Sequence, residues 1–366
     1  MKHYDLAIIG GSFSGLACAQ SAAIKGLRTI VLEKKKTPGA YTQSTGIFVK
    51  EIAEKMNIPS QLTRKISGIR LYAPNMSSFD LHSDNYYFLA TDTGQLLDWM
   101  ARQVKISGGI VRCNQKAQNI TKEGQQYHLR DQNISSSYLV GADGAKSTVA
   151  KQFNLGKNRH FLLGAEYEIE GLTHLDPDYL HVFLSSTYAP GYIGWALHGV
   201  KHTQIGIAVN TPKKPNIKGF LMHLLKHFGG HAKIIGRRGG YIPSGGIVSP
   251  FMKDKICLLG DAAGMVSPLT AGGIHPSIEI GQYLGSSIAD YLLNEGETPE
   301  RTIQHLLPSY RFKRPLRKAY QTFPPPDFIL NSLIESNSFK RIAQIIFFHH
   351  RGLFCKEAWQ EIWGLS

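Results

Sequence analysis

Cysteine is scarce in this sequence. Four thiols stand far apart along 366 residues, at positions 18, 113, 257 and 355. They form no Cys-x-x-Cys pair and show no metal-ligand spacing, so we expect no metal site, and buried thiols in a reducing cytoplasm. Long apolar runs are missing too, and no uninterrupted stretch is long enough to cross a bilayer.

Acidic residues are few as well. The chain has 27 Asp and Glu against 41 Lys and Arg, a net charge of +14. This surplus suits anionic partners such as phosphates or acidic lipid head groups. Because the basic residues form dense tracts only at 34–36 and 311–318, the pattern favours a solvated basic surface, and no nucleic-acid partner is expected. An aromatic content of 10% argues against disorder.

The strongest motif lies at the N-terminus. Residues 4–9 form a short, mainly apolar run that includes Asp5 and predicts a buried parallel strand, and a glycine-rich turn at 10–15 follows it. An alanine-rich helix at 16–25 and a second strand at 27–32 complete the unit, and Glu33 closes it. The candidate cofactor-binding residues here are Gly10, Ser12, Phe13, Ser14, Gly15, Glu33 and Lys34.

These residue types suit a dinucleotide. Glycines allow a tight turn, a close approach of the backbone to a pyrophosphate, and close packing of helix on strand. The helix N-terminus offers N–H groups and partial positive charge to phosphates. Glu33 can accept hydrogen bonds from ribose hydroxyls, whereas Ser12 departs from the usual second glycine and makes the backbone approach less free. On this unit alone, NAD and FAD both remain open.

Two later loops share this character. An apolar strand ends at Asp143 and Gly144, and another ends at Gly260 and Asp261 before a predicted helix at 278–293. In isolation Asp143 would be interpreted as a turn residue and Asp261 as a helix cap. Three such loops in order, each after a predicted strand, favour a cofactor site.

The three motifs together resemble the flavoprotein hydroxylase superfamily, whose fold is typified by p-hydroxybenzoate hydroxylase. The resemblance implies an α/β fold: a Rossmann-like FAD-binding domain, an inserted, mostly antiparallel β-sheet substrate domain and a helical C-terminal tail. It places Asp143 and Gly144 near the pyrophosphate of FAD, and Gly260 and Asp261 at its ribityl chain. The expected segments are 1–65, 91–155 and 251–295 for FAD, 66–90 and 156–250 for the substrate domain, and 296–366 for the tail.

Some positions depart from the family pattern. Ala150 and Lys151 stand where the family's second loop usually carries Arg, and Thr93 stands where an Arg often contacts FAD. Fewer positive charges near the cofactor imply weaker FAD retention.

Four further segments resemble the geranylgeranyl reductase branch: 67–75, 189–197, 239–246 and 264–274. In the last segment, the side chains of residues 270–273 are small enough for a flavin ring to lie against the backbone. The alternative interpretation of this segment is a glycine-rich connector before a helix. Its candidate cofactor-binding residues are Pro268, Ala271, Gly272, Gly273 and Ile274. The candidate substrate contacts are Tyr72, Tyr192 and Trp195, and core packing is the favoured alternative for the last two. On a regular strand Tyr192 and Trp195 would face opposite sides.

The branch implies reduction of C=C bonds in an isoprenoid or other apolar, lipid-like substrate. Such an alkene has no electron-withdrawing group, so hydride transfer requires a proton donor. Tyr192 and His275 are the candidate catalytic residues, with Tyr41 as a further acid; packing at a helix start is favoured for His275. The stretch 41–46 lacks the cysteine that some archaeal relatives carry.

Two alternatives remain beside the favoured reductase. A monooxygenase would hydroxylate or epoxidise its substrate through a flavin C4a-hydroperoxide, and a non-catalytic protein would only bind FAD. Because the sequence has no second GxGxxG unit, NADPH would act as a transient electron donor, and a reduced ferredoxin or flavodoxin is equally allowed.

The C-terminal sequence predicts helices at 301–320 and 328–353, separated by Pro324, Pro325 and Pro326. Apolar and basic residues recur there at helical spacing. A helix that covers the substrate domain is favoured, and the alternative is an amphipathic face that makes peripheral contact with a membrane. The expected location is therefore the cytoplasm, with membrane association as an option.

Overall fold

The computed structural model describes residues 1–172, 174–293 and 296–348. The strands, in chain order, are β1 (Lys2–Ile9), β2 (Thr29–Leu32), β3 (Ile47–Val49), β4 (Thr63–Ile66), β5 (Gly68–Tyr72), β6 (Ser78–Leu81), β7 (Phe88–Thr91), β8 (Ile110–Arg112), β9 (Ile120–Glu123), β10 (Gln126–Leu129), β11 (Ile134–Gly141), β12 (Phe161–Glu170), β13 (Tyr179–Phe183), β14 (Gly194–His198), β15 (Thr203–Asn210), β16 (Lys233–Pro243), β17 (Met252–Lys253) and β18 (Ile256–Leu258).

The α-helices are α1 (Phe13–Ile24), α2 (Lys50–Lys55), α3 (Thr93–Ile106), α4 (Thr148–Gln152), α5 (Ile217–Phe228), α6 (Ile274–Leu292), α7 (Pro299–Gln304), α8 (Lys313–Thr322), α9 (Asp327–Glu335) and α10 (Asn337–Phe348). In the described ranges, no helix is both long and apolar enough to span a membrane.

Two units divide the chain, and each is assembled from separated segments. The first unit contains 1–46, 92–161 and 241–315, and the second contains 47–91, 162–240 and the part of 316–366 that the structure describes. The first segment ends at residue 46, whereas the sequence predicts 65, because β3 and β4 both pair with β7 in the second unit. The predicted tail, 296–366, is likewise shared between the units.

Parallel pairing organises the sheet of the first unit. Its main path runs β17-β18-β11-β1-β2-β8, with β10 and β9 joined to β11. Strands β18, β11, β1 and β2 run parallel, so their carboxyl ends meet at one edge of the sheet. Helix α1 connects β1 to β2 and completes the predicted strand–turn–helix–strand unit. All residues of β1 from Leu6 to Ile9 are buried, as expected for a strand covered on both faces.

The second unit contains a seven-stranded sheet in the order β16-β12-β15-β14-β13-β5-β6. Strand β15 pairs antiparallel with β12 and with β14, β13 pairs antiparallel with β14, and β5 pairs antiparallel with β6, whereas β13 and β5 are parallel. These pairs confirm the mostly antiparallel prediction. Helix α5 places Phe220, Leu221 and Leu224 against Ile205 and Ile207 of this sheet. Each such buried side chain contributes about 1.5–3 kcal/mol of hydrophobic stabilisation, so the sheet has its own core.

The C-terminal helices differ from the sequence prediction. The prediction of one helix over 301–320 is wrong, because α7 ends at Gln304 and α8 begins only at Lys313. Pro308 lies between them, and proline lacks the N–H that a helix interior requires. The second predicted helix is divided at Ser336, whose backbone is extended. Residues 349–366, which include the predicted end at Leu353 and the thiol of Cys355, lie outside the described residues.

Candidate functional site

The glycine-rich turn begins where β1 ends. Gly10 has φ +111°, and a Cβ at this position would lie 2.2 Å from the carbonyl oxygen of Ala142, directly after β11. The hydroxyl of Ser12 accepts a hydrogen bond of 3.2 Å from the N–H of Gly15 and caps α1. Such a cap stabilises a helix by about 1 kcal/mol, so the serine that departs from the glycine pattern has a structural reason.

Glu33 ties the end of β2 to this turn. Its buried carboxylate accepts hydrogen bonds from the N–H groups of Gly11 at 2.7 Å and Lys35 at 2.8 Å. An ionised carboxylate has about four acceptor positions, so Glu33 can still accept from a ribose hydroxyl. The side chain of Lys34 beside it is exposed.

Asp143 occupies the second predicted loop. Its Oδ2 accepts from the N–H and hydroxyl of Thr148, at 2.6 and 2.8 Å, and from the N–H of Val149 at 3.2 Å. These bonds hold the first turn of α4. Its Oδ1 is buried and has no partner among the residues that the structure describes. Asp143 therefore stabilises a turn and keeps one acceptor for a ligand.

Asp261 follows β18 in the third loop. Its carboxylate accepts no hydrogen bond from the described part of the chain, and desolvation by the surrounding protein raises its pKa to about 6. Asp261 is half-buried, and a carboxyl group that loses part of its water is costly unless a donor reaches it. The hydroxyl groups of a ribityl chain are donors of this kind.

The three loops contact one another. Gly10 approaches Ala142, and a Cβ on Gly260 would lie 2.6 Å from the hydroxyl of Ser14 in α1. Along the chain, more than a hundred residues separate each loop from the next. The parallel sheet brings all three to one edge. The close backbone fits the diphosphate of FAD, and the acceptors on Asp143 and Asp261 fit hydroxyl groups of its sugar-alcohol part.

The loop at 264–274 is compact. Ser267 donates its N–H to the carbonyl of Gly272 at 3.0 Å, and Ala271, with φ +52°, donates to Ser267 at 2.9 Å. Pro268 is buried. Helix α6 begins at Ile274, and its N-cap residue Gly273 provides no side-chain cap, so the first turn presents N–H groups beside this loop.

His275 lies in the first turn of α6. Its Nε2 is 3.5 Å from Oε2 of Glu279, one turn along the helix. This contact is compatible with the packing interpretation, and a catalytic role stays a prediction. Tyr41, the further acid, is 91% exposed.

The candidate substrate residues all lie in the second unit. Tyr72 stacks on Phe183 with ring centroids 4.6 Å apart, and its hydroxyl bonds Nδ1 of His181 at 3.0 Å. The indole N–H of Trp195 donates to Glu166 at 3.0 Å. Both side chains therefore have packing and hydrogen-bonding roles, and their contact with substrate stays a prediction.

Tyr192 precedes β14 and is only 7% exposed. Tyr192 and Trp195 therefore do not share one regular strand, and strand alternation does not place their side chains on opposite faces. Arg317 of α8 lies over its ring, and burial raises the pKa of Tyr192. Sequence reasoning missed Arg317, because the basic stretch 311–318 was interpreted as solvated.

The cysteine thiols were expected to be buried, and this is confirmed for two of the three that the structure describes. Cys18 and Cys257 are buried, and burial raises the pKa of each. Cys113 is partly exposed. In the described ranges, no cluster of His, Cys, Asp and Glu has the arrangement of a metal site.

Comparison with known proteins extends this description. No family model matches the chain. A digeranylgeranylglycerophospholipid reductase of Methanosphaera stadtmanae is 26% identical over 326 residues, which cover 82% of this chain and 81% of that protein. A geranylgeranyl bacteriochlorophyll reductase-like protein of Thermoplasma acidophilum has a TM-score of 0.82 at 19% identity, over 100% of both chains. A flavin-dependent brominase has a TM-score of 0.72 at 16% identity, over 99% of this chain and 96% of its own.

The chain has the fold of the p-hydroxybenzoate hydroxylase superfamily of FAD-dependent oxidoreductases. This confirms the resemblance predicted from the three motifs, and also the resemblance to the geranylgeranyl reductase-like branch. The superfamily fold explains why the three loops meet at one sheet edge. The same fold serves a reductase-like protein and a brominase, so the reaction has to be argued from the site and the sequence relatives.

Proposed function

We propose that this chain is an FAD-dependent reductase that saturates carbon–carbon double bonds of an isoprenoid lipid. One observation carries the proposal: the unpaired carboxyl of Asp261 lies on one of the three loops that meet at the sheet edge. Similarity to a digeranylgeranylglycerophospholipid reductase over four-fifths of both chains supports the substrate class. The reductase is therefore favoured over a protein that only stores FAD.

Each part of the cofactor has candidate residues. The turn at 10–15 and the start of α1 would hold the diphosphate, and Glu33 a ribose hydroxyl. Asp143 would lie near the diphosphate and Asp261 would accept from the ribityl chain. The loop from Pro268 to Ile274 would lie against the flavin ring. When bound and reduced, FAD supplies the hydride.

Reduction of an unactivated alkene also requires a proton. One hydride and one proton form the two new C–H bonds, and the two electrons come from the external donor. We assign the proton to Tyr192, because it is a buried phenol beside the cation of Arg317. Burial raises the pKa of this phenol, and the Arg317 cation opposes the rise because it offsets the negative charge that the phenol acquires when it donates its proton. His275 is the second candidate.

The electron donor is either NADPH or a reduced ferredoxin or flavodoxin. Anaerobic mixing of the FAD-loaded protein with each donor would measure the rate of flavin bleaching. We expect one of them to bleach the flavin at least as fast as turnover, and donors that fail this test are excluded.

A membrane surface is the proposed source of the lipid. Phe323 and Phe328, which flank the proline break between α8 and α9, are 81% and 71% exposed. Lys318 and Lys340 supply basic charge on neighbouring helices. Helix α10 instead packs inward, because Phe348 contacts Tyr86 and Phe88 within the second unit. The apolar surface at the proline break therefore replaces the predicted face on the last helix as the candidate contact.

Anaerobic turnover tests the function. The chemically reduced protein is mixed with a digeranylgeranylglycerophospholipid without O2, and the mass of the product is measured by mass spectrometry. A gain of two hydrogens for each double bond is expected. A product that forms only with O2 and gains one oxygen would assign the protein to the monooxygenases, and a stable yellow protein without product would make it a binding protein.

A further inference from the structure

A single side chain bridges two of the cofactor loops. Asn158 lies between α4 and β12 in the first unit. Its Nδ2 donates to the carbonyl oxygen of Ala145 at 3.0 Å and to that of Asp261 at 2.8 Å. Ala145 directly follows Asp143 and Gly144, so one amide joins the second and third loops.

The orientation of this amide is determined by its neighbours. Both contacts are carbonyl oxygens, which only accept, so the NH2 group has to face them. Its Oδ1 is buried and without a partner among the described residues. A Cβ on Gly264 would lie 2.8 Å from that oxygen and 2.4 Å from the carbonyl of Gly246. The site is therefore closely packed around an amide whose acceptor end bonds nothing in the described chain.

The backbone around Asn158 is held independently. Gly156 donates its N–H to the carbonyl of Pro250 at 2.7 Å, and Ser244 donates to that of His160 at 3.0 Å. These bonds anchor the segment on both sides of Asn158. The backbone is thus held on both sides of Asn158, so only the side chain has to be ordered when its two bonds form.

We propose that Asn158 is a positioning residue that couples the second and third loops and thereby determines the affinity for FAD. One ligand has to meet the acceptors on Asp143 and Asp261 together, so their spacing must be correct before binding. A link between the loops lowers the ordering cost of binding. The inference rests on the FAD-binding part of the proposed function and is independent of alkene reduction.

Affinity measurements on the full-length apoprotein test this role. FAD is titrated at pH 8, and binding is followed by quenching of flavin fluorescence. Asn158→Ala removes two hydrogen bonds, and we expect affinity to fall about tenfold or more. Asn158→Asp has the same shape but turns a carboxylate toward two carbonyl oxygens, so its affinity should be lower still. Lys157→Ala, on the exposed neighbour, is the matched control and should bind as the wild type does.

The ranking separates polarity from packing. If Asn158 merely filled space, the isosteric Asn158→Asp variant would bind FAD better than the alanine variant. That order, or unchanged affinity in Asn158→Ala, would overturn the proposal. If the wild type itself binds no FAD, the proposed function fails instead, so the two failures are distinguishable.

A double-mutant cycle tests the coupling itself. Asn158→Ala is combined with Asp261→Asn and, separately, with Glu33→Gln, whose carboxylate bonds the first loop and, among the described residues, not the second or third. We expect non-additive losses of affinity for the first pair and additive losses for the second. Additive losses in both pairs would overturn the coupling.

Hydrogen exchange on the wild type gives a test that needs no variant. On titration with FAD, the amides of 143–148, 156–160 and 260–264 should gain protection together. Exchange at 156–160 that does not respond to FAD would contradict the proposal, even if the Asn158 variants fail to fold.

Discussion

The guanidinium of Arg317 lies over the ring of Tyr192, with its Cζ atom 5.5 Å from the ring centroid. Arg317 is only 2% exposed, and burial lowers its pKa. Its Nη2 donates to Oδ1 of Asn210 at 2.6 Å, but it pairs with no carboxylate among the residues that the structure describes. A buried cation without a counter-charge destabilises a fold, and we propose that Arg317 acts together with the candidate acid beside it.

The hydroxyl of Tyr192 is the first group to test. Tyr192→Phe keeps the ring beneath Arg317 and removes the proposed proton. We expect alkene turnover to fall by about 10²-fold or more, the usual contribution of a general acid, and FAD affinity to stay unchanged. Tyr188→Phe, a nearby phenol that packs against Phe220, should retain activity. Wild-type turnover in Tyr192→Phe would remove this residue from the mechanism.

Arg317→Met separates stability from activity. Methionine has a similar length and no charge, and replacing an uncompensated buried ion by an apolar side chain is often neutral or stabilising. We therefore expect an equal or higher Tm with a slower turnover. Thermal unfolding and steady-state rates check both. A lower Tm with unchanged turnover would show that the cation only supports the fold.

Asp261 makes FAD binding depend on pH. Its folded pKa is raised from 3.8 to about 6, so its contribution to the stability of the apoprotein is fully present below pH 3.8 and is lost as the pH rises through 6. The ionised form accepts from FAD hydroxyls. FAD affinity should therefore be constant above about pH 7 and weaken below about pH 6, by at most tenfold per pH unit. Asp261→Asn should give weaker and pH-independent binding in fluorescence titrations, and Asp261→Ala should lose its yellow colour during purification. Full flavin retention in the alanine variant would contradict the assignment.

His181 makes the second unit sensitive to acid. Burial lowers its pKa from 6.5 to about 4, and the neutral ring bonds Tyr72 and the carbonyl of Asp176. Its contribution is present above pH 6.5 and is lost as the pH falls toward 4, by up to about 3 kcal/mol. Denaturant unfolding at several pH values should show this loss, and His181→Asn should flatten it. The exposed His231→Asn is the control, and equal slopes in all three proteins would refute the role of His181.

The exposed phenylalanines should bind lipid. We expect the wild type to sediment with vesicles that contain anionic phospholipid more than with neutral ones, because the chain carries a charge of +14. Phe323→Ser with Phe328→Ser should reduce this binding several-fold. Ile106→Ser removes an exposed apolar side chain from the first unit and serves as control. Equal sedimentation with both vesicle types would exclude an electrostatic membrane contact.

Local pattern was sufficient for the cofactor edge. The strand before Gly10, the helix after it and the place of Glu33 at the end of the second strand were all predicted from residues close in sequence. Strand ends and turns depend on such neighbours. The Asp143 and Asp261 loops were predicted for the same reason. The role of Ser12 as a helix cap was not, since capping depends on where α1 begins.

The resemblance to the flavoprotein superfamily, the three loops and the apolar strands that end in them were all visible in the residue pattern. The link that Asn158 makes between two loops, and the burial of Arg317 over Tyr192, became visible only in the folded chain. Both residues are polar, lie in segments without a motif and each meet a partner more than a hundred residues away in sequence. Such contacts depend on the path of the whole chain, which hydrophobic periodicity and turn chemistry do not encode locally.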